Sequence, residues 1–115
     1  MIVNHPSHGE FVAKERQRLV TLCRAMLSGE VSFFEGAVQV CSLSGNIDAP
    51  EADPDLEAFQ LIRSETDHLP LKDIQHRWSL EAIERLRPEF ENTEVWAKPF
   101  ASKACENLIK RFAEL

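Results

Sequence analysis

The chain has 115 residues, of which 43% are hydrophobic and 28% charged, and its formal net charge is −6. This length fits one domain, and the apolar fraction excludes a chain that is disordered throughout. The acidic balance argues against a nucleic-acid binder, which needs a basic face, and no window approaches the roughly 18 consecutive apolar residues that span a bilayer.

Two helices are predicted in the first 44 residues. Ser7 and Glu10 have the S-x-x-E spacing of a capping box, apolar residues recur on one face after them, and Gly29 ends the pattern, which predicts a helix over 8–28. The segment 30–44 is more apolar, with one narrow polar stripe that predicts a helix in the middle of a bundle. The stripe residues step by 3, 4 and 3 positions: Ser32, Glu35, Gln39 and Ser42.

The middle of the chain alternates between loops and a short helix. Residues 46–55 form an acidic loop that contains two prolines. Within it, Asp53 is placed to cap a helix and Pro54 to occupy its first turn, which predicts a helix over 54–63. The following segment, 63–78, is dominated by polar residues and interrupted by a proline, so we expect it to be irregular.

The last third of the chain begins with Ser79 as a predicted helix cap, and inward-facing apolar positions follow. Pro88 and Pro99 interrupt them, so either one long kinked helix or two helices fit the pattern. We favour two, over 79–97 and 99–113. The sequence therefore predicts a single all-α domain over residues 1–115, a bundle of four or five helices with an irregular polar loop at 63–78.

Glycine and cysteine usage excludes several kinds of site. No glycine follows Gly45, and neither G-x-G-x-x-G, nor G-x-x-x-x-G-K-[ST], nor G-x-S-x-G occurs, so the common phosphate loops and the serine-nucleophile turn are absent. Cys23, Cys41 and Cys105 lie far apart among apolar neighbours, which is typical of buried thiols and not of a disulfide framework or zinc site. With an amino terminus that lacks a secretory pattern, this predicts a cytoplasmic protein.

Charge is distributed unevenly along the chain. Residues 1–29 carry a net charge of +2, residues 30–67 carry nine acidic groups and one basic group for −8, and residues 68–115 are balanced. An acidic segment can steer a basic partner protein towards it, or it can be a solvated loop that keeps the chain dispersed. We predict a protein-interaction module of the immunity or regulator kind, which binds its partner through Asp48, Glu51, Asp53 and Asp55.

The densest polar stretch supplies the competing hypothesis. Two pairs, Glu65 with His68 and Asp73 with His76, have the carboxylate–imidazole i, i+3 spacing of metal-binding bundles, and Glu35 is the best further ligand. A divalent-metal binder or metal-dependent enzyme would use these five residues. The other reading is a hydrogen-bonded structural loop. The polar-loop residues are Arg63, Ser64, Glu65, Asp67, His68, Arg77 and Trp78.

The sequence assigns no catalytic residue. Ser64, Asp67 and His68 include the residue types of a triad, but no oxyanion-hole signature accompanies them. We therefore expect a protein without enzymatic activity and without a cofactor, apart from the metal alternative. A homodimer is a third alternative, because a small helical domain this apolar can bury its surface against a second copy.

The segment Ile62-Arg63-Ser64-Glu65-Thr66-Asp67-His68-Leu69-Pro70, followed by Arg77-Trp78, resembles a segment of a family of small bacterial helical proteins of unknown function. Those proteins share an S-E-T-D-x-L-P run, an R-x-x-W or nearby R-W pair and a C-terminal helix similar to residues 104–109, and they have glycine where this chain has Lys72. The likeness spans residues 10–113. It implies a bacterial origin and a helical fold, and it implies no activity.

Overall fold

A computed structural model describes residues 7–113. Four α-helices account for most of them: α1 is His8–Ser28, α2 is Phe33–Leu43, α3 is Pro54–Glu65 and α4 is Leu80–Phe112. Two short 3-10 segments, Ser44–Asn46 and Lys72–Arg77, follow α2 and α3, and these residues contain no strand. The predicted all-α bundle is therefore confirmed. Residues 1–6, at the amino terminus where no secretory pattern is present, lie outside this range.

The capping residues read from the sequence begin and end α1. The Ser7 hydroxyl accepts a hydrogen bond from the Glu10 N–H at 3.1 Å. At the other end Gly29 adopts φ +87°, the left-handed conformation that suits glycine, and its N–H donates to the Met26 carbonyl. The bounds of α1 match the prediction of 8–28.

The second helix, α2, lies in the middle of the bundle as predicted and contacts α1, α3 and α4. It begins at Phe33, later than predicted, because Ser32 is its N-cap and accepts from the Glu35 N–H at 3.0 Å. Gly36 lies against α1 so closely that a Cβ atom there would be 2.2 Å from the Met26 sulfur. The absence of a side chain at Gly36 is what lets the two helices approach.

The third helix, α3, begins as predicted. The Asp53 carboxylate caps it by accepting from the N–H groups of Asp55 and Leu56, and Pro54 occupies the first turn. The helix extends to Glu65, two residues beyond the prediction. The polar loop after it is irregular apart from its 3-10 segment, and Thr66, Leu69 and Pro70 are its buried residues.

The favoured break at Lys98–Pro99 is wrong, because α4 is one helix of 33 residues that contains both Pro88 and Pro99. Both prolines are exposed, so the carbonyl that loses its partner at each is on the solvent side, where helices bend and water replaces the bond. Meanwhile the small residues Ala97 and Ala101 are fully buried on the opposite face. Packing of that face holds the helix together through the proline.

The core is formed where the four helices meet. The largest fully buried side chains of this core come from every helix and from the residue after the first 3-10 segment: Leu19, Cys23, Val40, Ile47, Phe59, Ile62, Cys105 and Leu108. None of the helices in residues 7–113 is long and apolar enough to cross a membrane.

Candidate functional site

Two of the four acidic residues predicted to bind a partner, Asp53 and Asp55, form hydrogen bonds with other side chains of the same chain. Arg111, in the last turn of α4, donates to both oxygens of Asp53 at 3.0 and 2.6 Å and to Asp55 at 3.1 Å. Asn107 donates a further hydrogen bond to Asp55 at 3.0 Å. The hydrogen bonds from Arg111 hold the pKa of Asp53 below its ordinary value, and the same pairing raises the pKa of Arg111. These carboxylates attach the start of α3 to the end of α4.

The other two acidic residues, Asp48 and Glu51, are exposed in the loop between α2 and α3. An Asp48 carboxylate oxygen lies 3.3 Å from the His8 ring nitrogen. Glu51 makes no hydrogen bond or ion pair with another residue of the described range 7–113. The acidic surface that remains for a partner is therefore smaller than the sequence indicates.

The predicted metal ligands do not come together. His68 pairs with Glu89 of α4, with 2.6 Å between Nε2 and Oε2, and not with Glu65. Glu35 accepts a hydrogen bond from the Lys72 N–H at 3.0 Å, while its second carboxylate oxygen is buried without a partner. Within residues 7–113, no three His, Cys, Asp or Glu side chains are grouped so as to hold a metal ion.

The polar loop is mainly a surface structure. All seven of its predicted residues, and also Asp73 and His76, are exposed on the loop or on the end of α3, and this includes Trp78 with 42% of its surface exposed. A small cleft of about 250 Å³ separates the loop from α4, with His68, Glu89 and Trp96 in its lining. The His68 ring lies between this carboxylate and that of Asp67, which is 4.0 Å away. This arrangement is a solvent-exposed cluster of one imidazole and two carboxylates.

The three cysteines are free thiols. Cys23 of α1 and Cys105 of α4 are fully buried. A hydrogen bond with Cys105 is the main cause that raises the pKa of Cys23 far above its ordinary value, and burial is the second cause. Burial also raises the pKa of Cys41. The prediction of inert, buried thiols fits Cys23 and Cys105, whereas Cys41 is only half-buried.

A groove of about 840 Å³ lies between α1 and α2, and we name it the α1–α2 groove. It is open to solvent along its length. Its apolar lining comes from both helices and from the turn that joins them: Leu22, Ala25, Val31, Val38 and Leu43.

The two helices that form the α1–α2 groove run antiparallel. Met26 lies against Gly36 near the turn, and Asn46 donates to the Glu15 carboxylate at 3.0 Å at the far end. Lys14 and Arg18 lie at that far end of the groove, one helical turn apart. No acidic side chain is among the groove-lining residues.

The wall that α2 contributes to this groove is fixed by Glu94 of α4. Its two carboxylate oxygens accept from the N–H groups of Phe33 at 2.8 Å and Phe34 at 3.0 Å. Together with the Ser32 hydroxyl on the Glu35 N–H, this satisfies three of the free N–H groups at the start of α2. A carboxylate at a helix N-terminus also interacts favourably with the helix dipole.

Sequence reasoning missed both the α1–α2 groove and the Glu94 cap. One signal for the groove was present: α2 is apolar around most of its circumference, so its neighbours must cover more than one side. The positions Lys14, Arg18, Thr21 and Ala25 also repeat at helical spacing on one face of α1. The Glu94 cap has no such signal, because the two partners are 61 residues apart.

Comparison with known proteins finds no protein family that matches the chain. No curated protein and no solved structure matches it either.

Proposed function

We propose that this protein is a non-catalytic protein-interaction module that binds a helical segment of a partner protein in the α1–α2 groove. The observation that carries the proposal is the groove itself, which combines a volume of about 840 Å³ with a mainly apolar lining. Amphipathic helices commonly bind in such grooves with their apolar side chains at positions i, i+3, i+4 and i+7.

The dimensions of the groove favour a helix over a small molecule. Its shorter wall, α2, has 11 residues and is about 16 Å long at 1.5 Å per residue. A partner helix of three to four turns would cover it. Because the groove is open along its length, a helix that needs only one face covered suits it better than a small ligand, most of whose surface is usually enclosed.

The immunity-like or regulator-like role and the cytoplasmic location remain part of this proposal. Three free thiols favour a reducing compartment. The exposed residues Asp48 and Glu51 remain a predicted secondary contact for a basic surface of the partner. The predicted relationship to small bacterial helical proteins through residues 62–70 adds no activity to the proposal.

The test is a titration of the isotopically labelled full chain with a designed amphipathic helical peptide of about 14 residues, followed by NMR. We expect amide shift changes confined to α1 and α2, and none with a peptide of the same composition in scrambled order. Changes spread over the whole chain, or equal changes with the scrambled peptide, would contradict the proposal.

A matched pair of variants makes the test specific. Ala25→Glu places a carboxylate among the apolar groove-lining residues, whereas Ala82→Glu changes an equally half-buried alanine of α4 outside the groove. We expect the first variant to weaken peptide binding at least tenfold and the second to leave it unchanged. Circular dichroism and the melting temperature of each variant check that both remain folded.

A further inference from the structure

Charge is arranged asymmetrically along the α1–α2 groove. At the end far from the connecting turn, Lys14 and Arg18 are exposed on α1. At the turn end the lining consists of Leu22, Ala25 and Val31. The whole chain has a net charge of −6. The groove therefore differs in sign from the chain as a whole, because Lys14 and Arg18 line it and no acidic residue does.

Arg18 is positioned and still has N–H groups to donate. One of its nitrogens pairs with the Glu15 carboxylate at 3.2 Å, and 68% of the Arg18 side chain is exposed. The Glu15 carboxylate is itself buried and also accepts a hydrogen bond from Asn46 at 3.0 Å. Glu15 therefore orients the guanidinium, whose other N–H groups have no partner among residues 7–113. A guanidinium with free N–H groups pairs readily with carboxylates.

From this asymmetry we infer that the partner is an amphipathic helix with carboxylates at one end, and that this acidic end lies at Lys14 and Arg18. The inference rests on the proposed function. The opposite, apolar end of the partner helix lies at Ala25 and Val31. The position of the carboxylates, and not the chain direction of the partner, fixes which way it lies in the groove.

Three peptides with one apolar face test the inference. The first has two Glu residues in its last turn, the second has Gln at those positions, and the third has Lys. We expect the Glu peptide to bind about fivefold more tightly than the Gln peptide at low salt, since each exposed ion pair contributes modestly, and the Lys peptide to bind most weakly. The preference decreases with added salt.

Charge substitution in the protein provides the matching measurement. Glu in place of Arg18 would face the buried Glu15 carboxylate, so the variant is Lys14→Glu with Arg18→Gln, and Lys14→Glu alone is the second variant. The double variant should reverse the preference between the Glu and Lys peptides, and Lys14→Glu alone, which keeps Arg18, should abolish it. The control pair Lys98→Glu and Lys103→Glu changes exposed lysines of α4 outside the groove and should not.

Orientation is read directly from a spin label. A nitroxide at the apolar end of the Glu peptide should broaden the amide signals of Ala25 and Val31, and moving the Glu pair to the other end of the peptide should transfer the broadening to Lys14 and Arg18. Equal broadening at both ends of the groove would overturn the inferred orientation.

The outcomes separate the two proposals. If no peptide binds the α1–α2 groove, the proposed function fails and the inference fails with it. If all three peptides bind there with equal affinity, the inference fails and the proposed function stands. If sodium dodecanoate, below its micelle concentration, binds the groove more tightly than the Glu peptide and displaces it, a fatty acid is the occupant and both are overturned.

Discussion

The guanidinium of Arg111 donates to both carboxylate oxygens of Asp53, at 3.0 and 2.6 Å, and thereby joins the last turn of α4 to the N-cap of α3. Only 2% of the Asp53 side chain is exposed, against 32% for Arg111. The same carboxylate also accepts from two backbone N–H groups of α3. Asp53 therefore has a structural role in joining α3 to α4.

Replacing Arg111 with Met should lower the free energy of unfolding by about 2 kcal/mol, because it leaves a buried carboxylate without its charged partner. Urea unfolding followed by circular dichroism measures the change. Lys110→Met, at the neighbouring exposed position, is the control and should have little effect. An Arg111→Met variant as stable as the parent would show that the ion pair contributes nothing.

The lowered pKa of Asp53 makes stability depend on pH. Because the folded chain holds the proton less tightly than the unfolded chain does, the stabilisation is complete above the ordinary Asp pKa and is lost as the pH falls through the lower folded value. We expect the Asp53→Asn variant to lose less stability than the parent between pH 6 and pH 2. Urea midpoints across this range give the comparison, and parallel pH profiles would contradict the assignment.

Glu94 should contribute more to the free energy of unfolding than an ordinary surface carboxylate does, because it caps α2. Glu94→Ala leaves the N–H groups of Phe33 and Phe34 without an acceptor, so we expect a loss of about 1–3 kcal/mol and faster hydrogen exchange at these two amides. Ser32→Ala should cost about 1 kcal/mol and accelerate exchange at Glu35 instead. Exchange followed by NMR distinguishes the two caps, and unchanged protection of Phe33 in Glu94→Ala would refute the role of Glu94.

The close contact between Gly36 and Met26 predicts that substitutions at these two residues have coupled effects on stability, because a larger residue 36 needs a smaller residue 26. Gly36→Ala places a methyl group 2.2 Å from the Met26 sulfur, so we expect it to destabilise the protein by about 1–3 kcal/mol, even though alanine favours helices. Met26→Ala together with Gly36→Ala should be more stable than the sum of the single changes. A double-mutant cycle from urea unfolding measures the coupling, and strict additivity would exclude the contact.

The thiols should differ in reactivity. Cys41 is half-buried, whereas Cys23 and Cys105 have no exposed surface. We expect a disulfide reagent to modify one thiol per native chain and three per chain in urea, because the reacting thiolate must be reached by the reagent. Cys41→Ser should abolish the native reaction. Modification of all three thiols at one rate without denaturant would contradict the buried placement.

Local signals in the sequence were enough to place α1 and α3. Ser7, Gly29, Asp53 and Pro54 each act within a few residues, so their roles follow from spacing alone. The continuity of α4 was not predictable in this way, because it depends on which side of the helix faces solvent at Pro99. On the solvent side, water can satisfy the carbonyl that loses its partner at a proline, so the helix can continue.

The candidate site was harder to predict, because its charges choose partners across the chain. Asp53 pairs with Arg111 across 58 positions, and His68 pairs with Glu89 in place of the nearer Glu65. The net charge of a segment does not indicate which of its charged residues pair with residues elsewhere in the chain. The α1–α2 groove depends in turn on which apolar side chains of α2 the other helices leave uncovered, and that is a property of the assembled bundle.

Since α4 carries Glu94 and Arg111 on one continuous helix, it sets the spacing between the starts of α2 and α3. The two residues are 17 positions apart, about 26 Å along the axis. Inserting one residue between them would rotate Glu94 by about 100° relative to Arg111, so the two helix starts could not both be held. An insertion of equal length in the loop between α2 and α3 carries no such penalty. The number of residues between Glu94 and Arg111 is thus fixed by the rotation of the helix, whereas the number of residues in the loop between α2 and α3 can vary.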